Sequence, residues 1–219
     1  MSGLVIDDAL PRVISSKTHS IIDYVHAATN FVAGALFHKS NPRAAKAAYA
    51  LGALGPEAVR VLTAALHSEY PAVMQAALAG LKQIGPAAGQ AVPAMIEKLG
   101  HHDPAVRMWA VSALSGIGQP AVPQLLQSVE HGTGEVRRGA AQALTLIFPS
   151  RRKFIPALLQ MIKDDEAASR LQAIASLTTI NATDEVTIGA ITDALKDSDV
   201  NVRQAATNAL VKLRANGGL

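Results

Sequence analysis

Three apolar columns recur six times along this chain, and they restrict it to architectures built by stacking one unit on the next. The first column holds Ala47, Ala77, Ala110, Ala140, Ala173 and Ala206. The second holds Leu51, Leu81, Leu114, Leu144, Leu177 and Leu210, and the third Leu54, Ile84, Ile117, Ile147, Ile180 and Leu213. The spacings are 30, 33, 30, 33 and 33 residues. Within a unit the columns are offset by 4 and then 3, so all three lie on one face of an α-helix. Alanine recurs where a second helix has to cross closely. An alanine-rich chain with only 4% aromatic residues favours packed helices over a β-sandwich.

A second helix follows each of the first five. Its columns are Val59, Val92, Val122, Ile155, Ile188 and Leu66, Leu99, Val129, Ile162, Leu195. Between the two helices stands a turn such as Gly55-Pro56, Gly85-Pro86 or Gly118-Gln119-Pro120. Glycine just past one helix and proline at the start of the next is the expected asymmetry. Pro93, Pro123 and Pro156 fall in the first turns of the second helices, where a missing N–H costs little. A hairpin this small cannot bury its apolar face alone, whereas stacked hairpins can, which predicts an all-α solenoid.

The segment Asp103-Pro-Ala-Val-Arg107, followed by Ala110, Ala113-Leu114 and Ile117-Gly118, resembles the HEAT repeat in its phycobilisome-lyase-type form. Gly134-Glu-Val-Arg137 and Val200-Asn-Val-Arg203 are weaker copies, and the resemblance covers about residues 41–214. It implies a right-handed α-solenoid of stacked HEAT-like hairpins. The chain then divides into an N-terminal helical cap, 1–40, and a repeat solenoid, 41–219, of five full hairpins plus a final single helix. Asp103, Glu166 and Asp199 precede Arg107, Arg170 and Arg203 by four residues, which predicts local ion pairs that also suit the helix dipole, and the HEAT resemblance implies that this column ladders between repeats.

Other classes are excluded by composition. The chain has no cysteine, so it has no disulfide framework, thiolate nucleophile or Cys-ligated metal. The net charge of +3 is spread rather than gathered into a basic stripe, which disfavours nucleic-acid binding. Asp7 and Asp8 break any secretory signal, and the expected location is cytoplasmic.

Residues 18–38 read as one helix that is mostly apolar outside the stripe His19, Asp23, His26 and Asn30. Residues 13–52, through Thr18-His19 and Asp23-Tyr24, resemble the start of a family of small bacterial membrane proteins. Only about fifteen uncharged residues precede Lys39, short of the ~20 that span a bilayer. The helix is expected to serve as a cap or an oligomer contact, with membrane contact as the alternative. The final helix, about 200–213, lacks a partner helix, so its apolar face is expected to be open, and Leu10-Pro11 with Val13-Ile14 resembles a second helix. A homo-oligomer joined through the chain ends follows as an expectation.

Candidate chemistry is thin. His19, Asp23 and His26 share a helical stripe, and His67, His101, His102 and His131 sit in inter-repeat turns, with His101 and His131 in one column. No metal site is expected from them, because neighbouring helices lie ~8–10 Å apart. The di-iron HEAT-type hydroxylases carry His-Glu dipeptides, and this chain has none. Arg137-Arg138 and Arg151-Arg152-Lys153 form two small basic clusters.

In the HEAT family the second helices line the concave surface. Here that surface would present Val61, Ala94, Gln124, Ala157 and Ala190, flanked by Glu97, Lys98, Gln127, Gln160 and Met161. A ladder with one lysine and no arginine suits a polypeptide better than phosphates. The sequence therefore predicts a non-enzymatic protein-binding scaffold that contacts a protein or peptide through Glu97, Lys98, Gln124, Gln127, Gln160 and Met161. It predicts no catalytic residue, metal or cofactor. Two alternatives remain: a bilin lyase-like or metal-dependent enzyme using the His-rich turns, and nucleic-acid binding through the arginine clusters.

Overall fold

A computed structural model describes residues 50–147 and 154–216. The sequence-predicted cap, the His19–Asn30 stripe, residues 7–17 and Arg151–Lys153 lie outside the described residues. Residues 50–53 are helical. The helices that follow are α1 (Val59–Ala65), α2 (Pro71–Ile84), α3 (Val92–Glu97), α4 (Pro104–Ile117) and α5 (Val122–His131). Beyond them come α6 (Gly134–Ile147), α7 (Ile155–Met161), α8 (Ala167–Thr179), α9 (Glu185–Asp193) and α10 (Val200–Ala215). Even-numbered helices are the first of each repeat and odd-numbered ones the second. Each even helix packs on the next, α2 on α4 through to α8 on α10, and the odd helices form a parallel layer. The architecture is an all-α solenoid. Among the described residues no helix is long and apolar enough to cross a membrane.

The turns follow from local chemistry. Gly55, Gly85 and Gly118 have φ of 77°, 70° and 72°, a left-handed conformation that glycine adopts without a Cβ penalty. In the fifth repeat Asn181 occupies the same column with φ 53°; its short polar side chain tolerates that region. Between several hairpin helices the chain winds through a short 3-10 turn, as at Gly85–Ala91 and Gln119–Ala121. Pro93, Pro123 and Pro156 then stand within the first two residues of α3, α5 and α7.

The alanine column is fully buried from Ala77 to Ala206, and the leucine column from Leu51 to Leu177. The second helices contribute a column the sequence reading passed over: Leu62, Met95, Leu125, Leu158 and Ile191, all at 0% exposure. One expected column breaks at its end. Leu195 is exposed, and Thr187, Ile191 and Ala194 supply the buried face of that repeat instead. The expectation of an open apolar face on the last helix is also corrected. Leu78, Val111, Ala141 and Ile174 are buried at one repeat position, and α10 places the exposed Thr207 there. Gln204 and Asn208 are exposed beside it, so apart from Val211 this outer face is polar.

The expected local acid–arginine pairs are replaced by a ladder between repeats. Asp103 and Asp199 cap their helices, accepting from the backbone N–H groups of Ala105 and of Asn201 and Val202. The arginines instead hold the preceding turn. Arg107 donates to the carbonyls of His101 and His102, Arg170 to those of Asp164 and Asp165, and Arg203 to those of Asp197 and Ser198, all at 2.7–2.9 Å. Arg107, Arg137 and Arg170 also reach the next repeat. Arg170 makes a bidentate pair with Asp197, both contacts at 2.7 Å, and Arg137 pairs with Asp164. Fork-shaped charge-assisted bonds of this kind fix geometry as well as adding energy.

Two outcomes follow. Ser169 is fully buried, its hydroxyl has no partner, and Val73, Val106 and Val202 occupy its column. Ser169→Val should stabilise the chain by about 1 kcal/mol, read as a higher urea midpoint, because it buries methyl groups and removes an unsatisfied hydroxyl. The Asp197 carboxyl is held below the usual carboxylate range, first by the hydrogen bonds from Arg170. A depressed folded-state pKa stabilises above the unfolded value and is lost as pH falls through the folded one. Asp197→Asn should therefore cost about 2 kcal/mol at neutral pH. In urea titrations this difference should close as pH falls below about 4.

Candidate functional site

The acid column that receives the arginine ladder reads His101, His131, Asp164, Asp197 down the repeats. Arg137 and Arg170 find an aspartate at this position in the repeat that follows, but Arg107 faces the level of His131. Arg107 turns instead to Glu135, with its Nε 3.5 Å from the carboxylate. Glu135 is shared with Arg138, whose guanidinium lies 2.9 Å away and also bonds Glu166. A change of residue type in one column thus moves an arginine from a staple to a surface cluster.

That cluster forms one end of a groove of about 470 Å3 between α4 and α6 on the first-helix face. The volume is typical of small-molecule sites, ~300–1,000 Å3. Leu99 and Val111 give it an apolar floor, and Met108 and Leu146 stand in its walls, 64% and 56% exposed. Gln142 and Gln172 supply amides. Gly139 shapes the floor, since a Cβ there would stand 2.9 Å from a Leu99 methyl. Lys82 reaches the groove edge, donating from Nζ to Ser112 Oγ at 2.9 Å. Among the described residues Lys82 has no carboxylate partner.

The His-rich turn before α4 is tied to this groove through Arg107. The His101 and His102 rings lie 4.1 Å apart between centroids. His101 Nδ1 accepts from the Asp103 backbone N–H, which leaves the proton of the neutral ring on Nε2. Burial, then the neighbouring His102 and Lys98, push the His101 pKa down. Among the described residues no group of three histidine or acidic side chains is placed to hold a metal ion.

The contacts expected on the second-helix face fare unevenly. Glu97, Gln127 and Gln160 are exposed, and Lys98 and Gln124 are half-buried. Met161 is only 2% exposed, because its helix rotates that position into the core beside Leu158 and Ile162, so it is no surface contact. The helix N-terminal cluster Arg137-Arg138 is no free cationic patch either, since both guanidiniums are held by Asp164, Glu135 and Glu166. Nucleic-acid binding loses those two cations. The groove on the opposite helix layer escaped the sequence reading. The signals that could have found it were the His-to-Asp change in the ladder column and the apolar Met108 and Leu146 outside the buried columns.

The chain is 36% identical over 104 residues to the bilin biosynthesis protein RpcF of Synechococcus sp. (strain WH8020), covering 44% of this chain and 47% of the relative. It thus spans about half the length of the curated relative it matches. Among solved structures it resembles the complex of CpcE and CpcF of phycocyanin lyase from Nostoc sp. PCC7120, with a TM-score of 0.53 at 21% identity, over 70% of this chain and 98% of that one. It also resembles a tubulin-recruiting TOG domain array, with a TM-score of 0.55 at 15% identity, over 94% of this chain and 47% of that one. At these identities the structural likenesses show the fold. The RpcF match overturns the expectation of a non-enzymatic scaffold and favours the bilin lyase-like alternative. The family model for HEAT repeats matches residues 59–145 and 155–218. With its buried columns, glycine turns and arginine ladder, the chain belongs to the HEAT-repeat family.

Proposed function

We propose that this protein acts on a bilin, as a lyase-type HEAT-repeat protein that holds the pigment while it is joined to or released from another protein. The observation that carries this reading is the 36% identity to a bilin biosynthesis protein. The first-helix groove supports it, because an apolar floor with a charged end and two amides matches a conjugated, carboxylate-bearing molecule. The chain has no cysteine, so it offers no thiol for covalent capture of the pigment. His101 is the candidate hydrogen-bond donor to the pigment, a neutral ring with its N–H on Nε2.

A protein of this type has to meet the protein that carries the pigment. The phycocyanin lyase of Nostoc is itself described as a complex of two chains. Exposed Glu97, Gln127 and Gln160, with half-buried Lys98 and Gln124, are the contacts proposed here for such a partner.

The test is transfer of a bilin to apo-phycocyanin, read as pigment that stays on the acceptor through denaturing electrophoresis. The chain, alone or with a partner lyase subunit, should raise the yield over the spontaneous reaction. His101→Ala should lower it while leaving the helical circular dichroism intact. An unchanged yield together with no absorbance change on mixing with bilin would sink the reading. Separately, NMR titration should show His101 taking its proton below the ordinary imidazole range. Because the folded state resists that proton, this group lowers stability as pH falls through the unfolded value of about 6.5.

A further inference from the structure

We propose that the groove between α4 and α6 takes the propionate-bearing edge of a linear tetrapyrrole, with Arg107 and Arg138 exchanging the Glu135 carboxylate for those of the ligand. This rests on the bilin reading above and assigns it a place. Elsewhere the arginine ladder is committed: Arg170 holds Asp197 in a bidentate pair, both side chains 12% exposed. At the groove the hold on Glu135 is looser, although Arg138 keeps a second carboxylate in Glu166. Arg107 Nε is 3.5 Å from Glu135, and the Glu135 side chain is 49% exposed. A half-exposed carboxylate shared between two guanidiniums is worth little against solvent, so a ligand carboxylate of the same geometry can replace it.

The charge around the groove favours that exchange. Arg107, Arg138 and Lys82 stand at its edge, and Glu135 is the one carboxylate among its lining residues. Ser112, which receives Lys82, lies about 7.5 Å further along α4 than Arg107, so the cations are spread along the groove rather than gathered at a point. A linear tetrapyrrole carries two propionates along one edge and a conjugated apolar body behind them. Met108, Val111 and Leu146 offer that body apolar contact, and the Gln142 and Gln172 amides can pair with its lactam N–H and C=O groups. Gly139 leaves α6 close against Leu99, keeping the floor smooth.

The experiment compares biliverdin with its dimethyl ester on the unmodified full chain, then on E135Q and R138Q, following the absorbance shift and quenching of Trp109 fluorescence. Biliverdin should bind at least about tenfold more tightly than the ester. R138Q should lose about tenfold in affinity for biliverdin and little for the ester, while E135Q should gain about threefold. Circular dichroism confirms that each variant keeps its helices, and the ester comparison needs no variant at all. Biliverdin binding that ignores esterification and both substitutions overturns the groove assignment and leaves the bilin reading standing. Absence of binding by either pigment overturns both.

Discussion

Close approach of successive first helices is the constraint on which this structure depends. Every even helix crosses its neighbour at an alanine, from Ala77 to Ala206, and each of these is fully buried. A larger side chain there would push two helices apart and break the register of every repeat beyond, because interiors at crystal-like density cannot absorb the volume. The leucine and isoleucine columns add the buried area, but the small column sets the pitch. In a quasi-one-dimensional stack each interface is a separate stabilising term, so polar exceptions are tolerated locally. The fifth repeat shows this, with Ser169, Ser176 and Thr187 buried where other repeats place apolar or small residues.

The arginine ladder adds direction to that stack. Arg107 and Arg170 close the turn behind them through two backbone carbonyls and Arg137 through one, and all three reach forward to the next repeat. The turn carbonyls would otherwise sit at the end of a second helix without intrahelical partners. Satisfying them with a cation suits the helix dipole as well. Because each guanidinium is divided between a turn and a neighbour, the residue in the neighbouring acid column decides whether it is fully used. Aspartate uses it; histidine at position 131 leaves the Arg107 Nε available to the surface.

The sequence was most informative where one residue type answers one geometric demand. The alanine crossings, the Gly55, Gly85 and Gly118 turns and the prolines opening α3, α5 and α7 all follow from columns and spacing. Asn181 is legible in the same way, as the polar substitute in a left-handed turn. What escaped was rotational detail. Met161 reads as a neighbour of Gln160 on an open face, yet a short helix wound tightly at its end turns it inward beside Ile162. The column of Leu62, Met95, Leu125, Leu158 and Ile191 was missed because each sits between two more conspicuous apolar positions. The last helix looked open because its apolar count resembles the others, although Thr207 had already replaced the inter-repeat contact. The local ion pairs were drawn by the four-residue spacing, but capping claimed Asp103 and Asp199 first, since a backbone N–H at a helix start is nearer than a guanidinium one turn on.

The groove shows why function is the least legible level in such a protein. A repeat fold copies its core faithfully and varies its surface, so a site is written as a departure from the columns and not as a motif. The departures at Met108, Glu135 and Leu146 are individually ordinary, and a lone exposed apolar residue carries no message. Their meaning comes from position: all three line one recess, at the level where a ladder arginine faces histidine instead of aspartate. The same arginine that closes the His101-His102 turn forms the charged end of that recess. Any ligand that engages Arg107 therefore also pulls on the carbonyls of both histidines, and ligand binding and the state of the turn are coupled through one guanidinium.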